Sequence, residues 1–599
     1  MRKLNFLFIA IFTFVVGSFS QENLAKQIVS KMSVDEKIGQ MTLVDNSYLR
    51  SYDDITRYYL GGILSGGNSF PFNDERRAKP QDWAEYIELL QSYALKTRLK
   101  IPLIYGVDAV HGNQKVFGAT IFPHNVGLGA TKNAALVEKI AEITAKECSA
   151  VGINWAYAPC VAVARDDRWG RQYESFSESP EIVALLGEAS IKGFQNGKYP
   201  LGVAACAKHY LGDGGTKFGT GMNRKLDRGN TVASEEEIRA IHLFPYTVAV
   251  SNGVKTIMAS FSKLNGEFMH QNAQYIDGVL KKELGFKGFV VSDWKAIDEL
   301  PGRYEDAVRN VIMAGVDMVM VPDDYEKFIN TMKRLISQKK IPMERIDDAV
   351  ERIIRVKIEL GLFENPLPQK ENIKLIGSKE HKEIARQAVR ESIVLLKNEN
   401  KTLPISKEAR HILVIGDKAD SVGHQCGGWT LYWGGGVKDV VPGCSILSAI
   451  KSAVSKNTKV TYSRVADDIS NIREKIDVCI VVVGENPYVE FNGDVENLNL
   501  SRKDTDIIKR VSQLKVPKVL IILSGRPVII TEYIPSFSSV VAAWWFGTEA
   551  EGLTDILFGD YKPTGKLPFS WPKDNSQLPL NVGDTNYDPL FPFGYGLTY

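Results

Sequence analysis

The feature that most constrains this chain is a repeated pattern in which a short apolar, β-rich run is followed by an amphipathic segment and then by another run. The runs are Gly61-Gly62-Ile63-Leu64, Pro102-Leu103-Ile104-Tyr105, Gly152-Ile153-Asn154-Trp155-Ala156, Val203-Ala204-Ala205-Cys206-Ala207, Thr256-Ile257-Met258-Ala259, Phe289-Val290-Val291 and Val316-Asp317-Met318-Val319-Met320. Runs of this kind belong to strands buried on both faces, and their alternation with helices calls for a parallel sheet with helical crossovers. About seven or eight such units over roughly 340 residues are accommodated most economically by a (β/α)8-type barrel, an α/β fold. A capping-box pattern, Ser33-Val34-Asp35-Glu36, predicts the first helix of this region.

Polar residues follow the runs. Asp108 and His111 follow the second, Asp166, Arg168 and Arg171 the third, Lys208 and His209 the fourth, and Asp293 the sixth. In parallel-strand folds functional groups collect at the carboxyl edge, because the interior below is filled with apolar side chains. Each residue also has a plainer reading. Asp293 can cap a following helix, and Asp166, Asp167 and Arg168 read best as a mutual salt-bridge cluster. The stretch Gly285 to Trp294 is the most suggestive, since an apolar strand stops abruptly at a carboxylate followed by an indole.

Helical periodicity from Arg345 to Leu362 ends at Gly361, with Pro366 and Pro368 beyond, which closes a first domain spanning residues 21–365. A polar linker is expected over 366–381. A second alternation over 382–560 predicts a smaller open α/β sandwich domain, with helices over 382–397, 445–454, 504–514 and 550–558 and strands over 411–416, 478–484, 518–523 and 539–543. The remainder, 561–599, is rich in Pro, Gly and aromatics and is expected as an ordered tail packed on the domains.

Lysine and arginine number 73 and aspartate and glutamate 71, leaving a net charge of +2, so no basic field exists to attract nucleic acid or anionic lipid. Arg2 and Lys3, the apolar run Leu4 to Val16 and the small residues Ser18 and Ser20 form a signal-peptide pattern over residues 1–20, with cleavage before Gln21. The mature protein is therefore expected to be exported, periplasmic or extracellular, without a membrane segment. Six cysteines are too few and scattered for a disulfide scaffold, although Cys426 and Cys444 lie in adjacent loops and can pair. None has the spacing of a zinc site, and neither a metal nor an organic cofactor is expected.

In the second domain the run Val478 to Gly484 leads into an acidic loop, Glu485-Asn486-Pro487-Tyr488-Val489-Glu490-Phe491-Asn492-Gly493-Asp494. From the residues alone, Glu485, Glu490, Asp494 and Glu496 are rival candidates for a catalytic acid. A second loop, Cys426-Gly427-Gly428-Trp429-Thr430-Leu431-Tyr432-Trp433-Gly434-Gly435-Gly436, carries tryptophans among glycines, a setting less suited to core packing than to flat contact with sugar rings.

With Gly106-Val107-Asp108-Ala109-Val110-His111-Gly112, Arg168-Trp169-Gly170-Arg171, Lys208-His209-Tyr210-Leu211-Gly212-Asp213-Gly214-Gly215-Thr216, Val291-Ser292-Asp293-Trp294, Gly427-Gly428-Trp429, Gly547-Thr548-Glu549 and the terminal Pro592 to Thr598, the chain resembles glycoside hydrolase family 3 over nearly its whole mature length. The likeness is greatest to the plant-type exo-acting β-D-glucan glucohydrolases. The resemblance implies a retaining exo-β-glucosidase that removes glucose from β-glucan or gluco-oligosaccharide ends. It implies that Asp293 is the nucleophile and Glu490 the acid/base, that Asp108, Arg171, Lys208 and His209 grip the terminal sugar, and that Trp294 and Trp429 clamp the next one. Asp227 falls where the family places another sugar contact, and Phe261 stands where the plant-type enzymes carry a tyrosine. Lys208 is expected to favour the Asp293 anion, and burial of Glu490 away from cations to keep it protonated. Within the family, a β-N-acetylglucosaminidase draws its acid from an Asp-Ser-His loop, whereas Gly215-Thr216-Lys217-Phe218 stands here. A β-xylosidase is a further rival, as is a catalytically silent carbohydrate-binding protein on the same scaffold.

Overall fold

The computed structural model describes residues 22–196 and 202–599. The signal-peptide pattern over residues 1–20 lies outside them.

Eight parallel strands form the first sheet, in the order Phe289–Val291, Thr256–Ala259, Ala204–Tyr210, Trp155–Ala156, Ile104–Val107, Gly62–Ser65, Thr42–Asp45 and Val319–Met320. A parallel bridge between Val291 and Met318 closes the ring. Neighbours in the sheet are neighbours in sequence, as successive right-handed crossovers require. The interior is packed solid: Trp155 meets Phe289 edge-on at 5.2 Å, and its Nε1 donates to Thr256 Oγ1 at 2.8 Å. Polar side chains at the carboxyl edge are thereby turned outward to the rim. The capping-box helix forms over Val34–Gln40 with Ser33 and Glu36 in the expected reciprocal bonds. Thr42–Asp45 is a strand that the sequence does not announce, because four residues placed directly behind a helix leave no room for a pattern to develop.

The second sheet has six strands, in the order Val394–Asn398, Ser539–Ala542, Lys518–Leu523, Val478–Gly484, His411–Ile415 and Lys459–Ser463, with only Val394–Asn398 antiparallel. Two sequence expectations are corrected here. The helix expected over 382–397 runs instead from Lys379 to Ser392, so the linker is shorter than 366–381, and Val394–Asn398 is a strand. Ile393-Val394-Leu395-Leu396 suits either state, and pairing with Ser539–Ala542 decides it. Lys459–Ser463 is a further strand without a sequence expectation, since it is a half-exposed edge with a weak apolar signal. Cys426 and Cys444 do not pair; all six cysteines are free.

The tail binds both domains. Leu597 bridges Leu395 of the second sheet, while Ser570 donates through its backbone N–H at 2.7 Å and its hydroxyl at 2.8 Å to the buried Glu178 of the barrel. The second domain and its tail thus cap the carboxyl rim of the barrel, where a cavity of about 680 Å³ opens between them.

Candidate active site

The strand Phe289–Val291 delivers Asp293 to the cavity wall. Its backbone N–H donates to His270 Nε2 at 3.0 Å, and its Oδ1 accepts from the Trp294 N–H at 2.7 Å. Oδ2 is buried with no hydrogen-bond partner among the described residues and lies 3.8 Å from His209 Nε2. Burial pushes this carboxyl up to about 6, with Arg171 opposing the rise and Glu490 adding to it. Burial likewise pushes His270 down to about 3, so the ring is neutral and able to accept the Asp293 amide hydrogen. His270 carries no sequence signal; only the folded chain brings it beneath the strand end.

Lys208 lines the same cavity as Asp293 but forms its ion pair with Asp108. Its Nζ donates to Asp108 Oδ1 at 2.8 Å, and although burial disfavours its charge, Asp108 and Glu174 more than offset this. The leading cation acting on Asp293 is Arg171. His209 Nδ1 pairs with Asp213 Oδ2 at 2.8 Å, while burial and the neighbouring Arg171 and Lys208 hold the ring well below its ordinary range. Asp108, Arg171, Lys208 and His209 all line the cavity beside Asp293. His111 does not: it stacks on His124 at 3.8 Å and bonds Phe122 O.

Glu490 reaches the same cavity from the second domain. It begins the turn Glu490–Gly493 with a left-handed backbone, φ +46°. The turn is pressed onto the barrel loop Arg168–Arg171, where a Cβ on Gly170 would lie 1.9 Å from the Glu490 carbonyl oxygen. Asp494 fastens this contact by accepting N–H groups of Gly170 at 2.7 Å, Leu226 at 3.0 Å and Asp227 at 2.7 Å. Arg526 Nη2 donates to Gly493 O at 2.6 Å. The Glu490 carboxyl is not remote from cations. It lies between Arg171 Nη1 at 3.6 Å and Arg228 Nη2 at 3.7 Å, and burial still raises it above the ordinary carboxylate range.

The rival acids are placed elsewhere. Glu485 accepts from Arg526 Nε at 2.9 Å, Tyr488 O–H at 2.9 Å and Gly525 N–H at 3.1 Å, and faces a different cavity. Asp494 is spent on backbone amides, and Glu496 is exposed outside the cavity. Asp227 also turns away: Trp169 Nε1 donates to its Oδ1 at 3.1 Å, and its neighbour Arg228 lines the cavity instead. The guanidinium of Arg228 lies over the ring of Phe261, 3.8 Å from its centroid. Arg168 does pair with Asp166, at 2.6 Å, but Asp167 accepts from Gln172 Nε2 at 2.7 Å and stands outside that pair.

The aromatic wall differs from the expected pair. Trp294 lines the mouth, with Tyr48 edge-on at 6.5 Å. Trp429 is only 5 % exposed and contributes to the inner wall, with Lys208 Nζ 5.7 Å from its ring centroid. Trp433 is more open than Trp429, lies 5.8 Å from Phe491, and is positioned by its N–H bond to Asn68 Oδ1 at 3.0 Å. Gly66 and Gly67 run between the two outer tryptophans. A Cβ at Gly66 would lie 2.8 Å from the Trp294 ring and one at Gly67 2.5 Å from Trp433 Cβ, so the close approach requires glycine. Trp429 and Trp433 belong to one conspicuous sequence motif, but only folding distinguishes the buried one from the open one.

Two carboxyl groups, one from each domain, line the cavity with the polar side chains of Asp108, Arg171, Lys208 and His209 and flanking indoles, a lining suited to a polyhydroxylated ring. Residues 33–356 match the family described as glycosyl hydrolase family 3 N terminal domain, and residues 393–599 match the glycosyl hydrolase family 3 C-terminal domain. The chain is 32% identical to the lysosomal beta glucosidase of Dictyostelium discoideum, over 97% of this chain and 76% of that protein. It is 31% identical to the periplasmic beta-glucosidase of Salmonella typhimurium, over 97% of this chain and 80% of that protein. Among solved structures, the exo-1,3/1,4-beta-glucanase of a Pseudoalteromonas species superposes with a TM-score of 0.91 at 39% identity, over 97% of this chain and 74% of that one.

Proposed function

The chain belongs to glycosyl hydrolase family 3, and on that premise we propose that it is a retaining, exo-acting β-glucosidase in which Asp293 is the nucleophile and Glu490 the acid/base. The glycosidase activity and the β-glucoside class of substrate agree with the relatives' names. The observation that carries the residue roles is that Asp293 Oδ2, without a hydrogen-bond partner among the described residues, and the largely buried Glu490 carboxyl line the same cavity. A cavity capped by a second domain, rather than an open groove, favours release of a terminal sugar.

In the first half of the reaction Asp293 Oδ2 attacks the anomeric carbon while Glu490 gives its proton to the departing glycosidic oxygen. In the second half Glu490 takes a proton from water, whose oxygen attacks the same carbon and frees the Asp293 carboxylate. Asp108, Arg171, Lys208 and His209 hold the hydroxyls of the terminal glucosyl ring. Trp294 and Trp433 flank the leaving sugar, and Trp429 closes the inner wall. The signal-peptide pattern and the periplasmic relative support export of the mature protein; cell fractionation that finds it in the cytoplasm overturns this.

The test is an assay of nitrophenyl β-glucoside, β-xyloside and β-N-acetylglucosaminide with wild type, Asp293→Ala and Glu490→Ala, with and without azide. Asp293→Ala is expected to yield the α-glucosyl azide and Glu490→Ala the β-azide. Full activity of Glu490→Ala on a poor leaving group excludes it as the acid, and preference for the xyloside overturns the glucosidase reading.

A further inference from the structure

We propose that Arg228 is a positioning residue that spans the leaving-group side of the cleft and, balanced against Glu299, governs how firmly Glu490 holds its proton. This rests on the reading of Glu490 as the acid/base. Arg228 is fixed on three sides: its guanidinium lies 3.8 Å from the Phe261 ring centroid, Nη1 is 2.5 Å from Glu299 Oε1, and Nη2 is 3.7 Å from Glu490 Oε2. It also lies 5.6 Å from the ring of Phe491, the residue after Glu490. Glu299 sits on the loop that follows Asp293 and Trp294 and lines the same cavity. One side chain therefore joins the nucleophile's loop to the acid/base carboxyl.

The charged groups acting on Glu490 are Arg171 and Arg228, which favour its anion, and Asp227 and Glu174, which oppose it, while Asp293 lines the same cavity. The two cations are not equivalent. Arg171 is locked by two 2.9 Å bonds to Glu174, whose side chain is 1% exposed, so its charge is closely compensated in a dry setting. The counter-ion of Arg228 is Glu299, 46% exposed, where water screens the pair. Arg228 is thus the cation whose influence on Glu490 is set by a neighbour at the cleft mouth.

The chemistry gives this balance a use. Glu490 loses its proton to the glycosidic oxygen as the C1–O bond breaks, and regains one from water as the Asp293 ester is cleaved. A cation beside it supports the carboxylate that exists between those steps, while Glu299 limits the pull so that the proton is still present at the start. Phe261 offers the guanidinium an aromatic face and no hydroxyl to compete for Nη2.

The experiment compares pH profiles of kcat/KM on a nitrophenyl β-glucoside for wild type, Arg228→Gln, Arg228→Lys and Glu299→Gln, since these profiles report the free enzyme's groups. Removing the cation destabilises the Glu490 anion, so Arg228→Gln is expected to move the basic limb upward by about 1 pH unit. Arg228→Lys is expected to keep it near wild type, and Glu299→Gln to move it downward. Unmoved limbs, or shifts of the two neutralising variants in the same direction, overturn the proposal; a fall in kcat with no limb shift marks a merely structural side chain. Glu299→Gln keeps the test decisive should Arg228→Gln not fold. If Glu490→Ala yields no β-azide, the acid/base reading itself fails; if it does and the limbs stay fixed, only the role of Arg228 fails.

Discussion

The two carboxyls proposed as catalytic are held in opposite ways. Asp293 stands at the end of a barrel strand, and its backbone is fixed by His270 and its Oδ1 by the next residue's N–H. Every one of those groups belongs to the barrel. Glu490 sits in a short turn of the second domain, and its position depends on Gly170, Leu226 and Asp227 of the barrel, which Asp494 grips across the interface. The proposed nucleophile is thus a property of one domain, and the proposed acid is a property of the docking of two. Activity on a substrate that needs the acid should therefore be far more sensitive to the interface than activity on one that does not.

The largest effect expected sharpens this contrast directly. Asp293→Ala is expected to lose roughly 10⁴-fold or more in kcat on every substrate, whereas Glu490→Ala is expected to lose roughly 10²- to 10⁴-fold on poor leaving groups and little on dinitrophenyl glucoside in the first half-reaction. Pre-steady-state bursts with both substrates measure it. Next comes Gly170→Ala, whose Cβ would stand 1.9 Å from the Glu490 carbonyl oxygen. It must displace the acid's turn, and a displacement near 1 Å is expected to cost about 100-fold on a poor leaving group. Equal losses on good and poor leaving groups would break the comparison, because the damage would then have reached Asp293.

Smaller still is the expected effect of Asp494→Asn, which keeps the shape of the tether but weakens three charge-assisted bonds. A loss of about 10-fold is expected on poor leaving groups, with Asp293-dependent formation of the glycosyl-enzyme from activated substrates spared. The smallest effect concerns stability. Asp293 is raised in the folded protein to about 6, above its ordinary 3.8, so the fold binds more protons than the unfolded chain between these values. Its contribution therefore favours the fold at low pH and declines as pH rises through about 6. Asp293→Asn is expected to raise Tm by a few degrees at pH 7.5 and by much less at pH 5, the cost of holding a buried nucleophile ionised. A scan at both pH values checks it, and a lower Tm for the variant at pH 7.5 would show that Arg171 gains more from the charge than burial loses.

The barrel is legible in the sequence because each buried strand needs a continuous apolar run, and seven of its eight strands have one. The eighth, Thr42–Asp45, begins one residue beyond the helix Val34–Gln40, so its apolar residues merge with the helical run and do not stand out as a separate strand. In the second domain, Val394–Asn398 reads as helix because its apolar residues fit either period, and only its antiparallel partner resolves the choice. The same limit applies within the site. Trp429 and Trp433 stand four apart in one glycine-rich loop, and nothing local says that the first is buried and the second open. Asp227 and Arg228 are adjacent, and a left-handed backbone at Arg228, φ +58°, turns one into the interface and the other into the cavity.

What the sequence determined by itself was most of the elements and the chemistry available at their ends: the apolar periodicity that makes a parallel barrel, the acid at the close of Phe289–Val291, and an acidic loop in a second α/β domain. What only the tertiary structure decided was which groups meet. Burial raises the carboxyls of Asp293 and Glu490, two guanidiniums from separate barrel loops converge on Glu490, and Glu485 is withdrawn onto Arg526. Local sequence sets the backbone preferences of each segment, but desolvation and charge pairing depend on neighbours hundreds of residues away, and those exist only once the second domain has closed over the barrel.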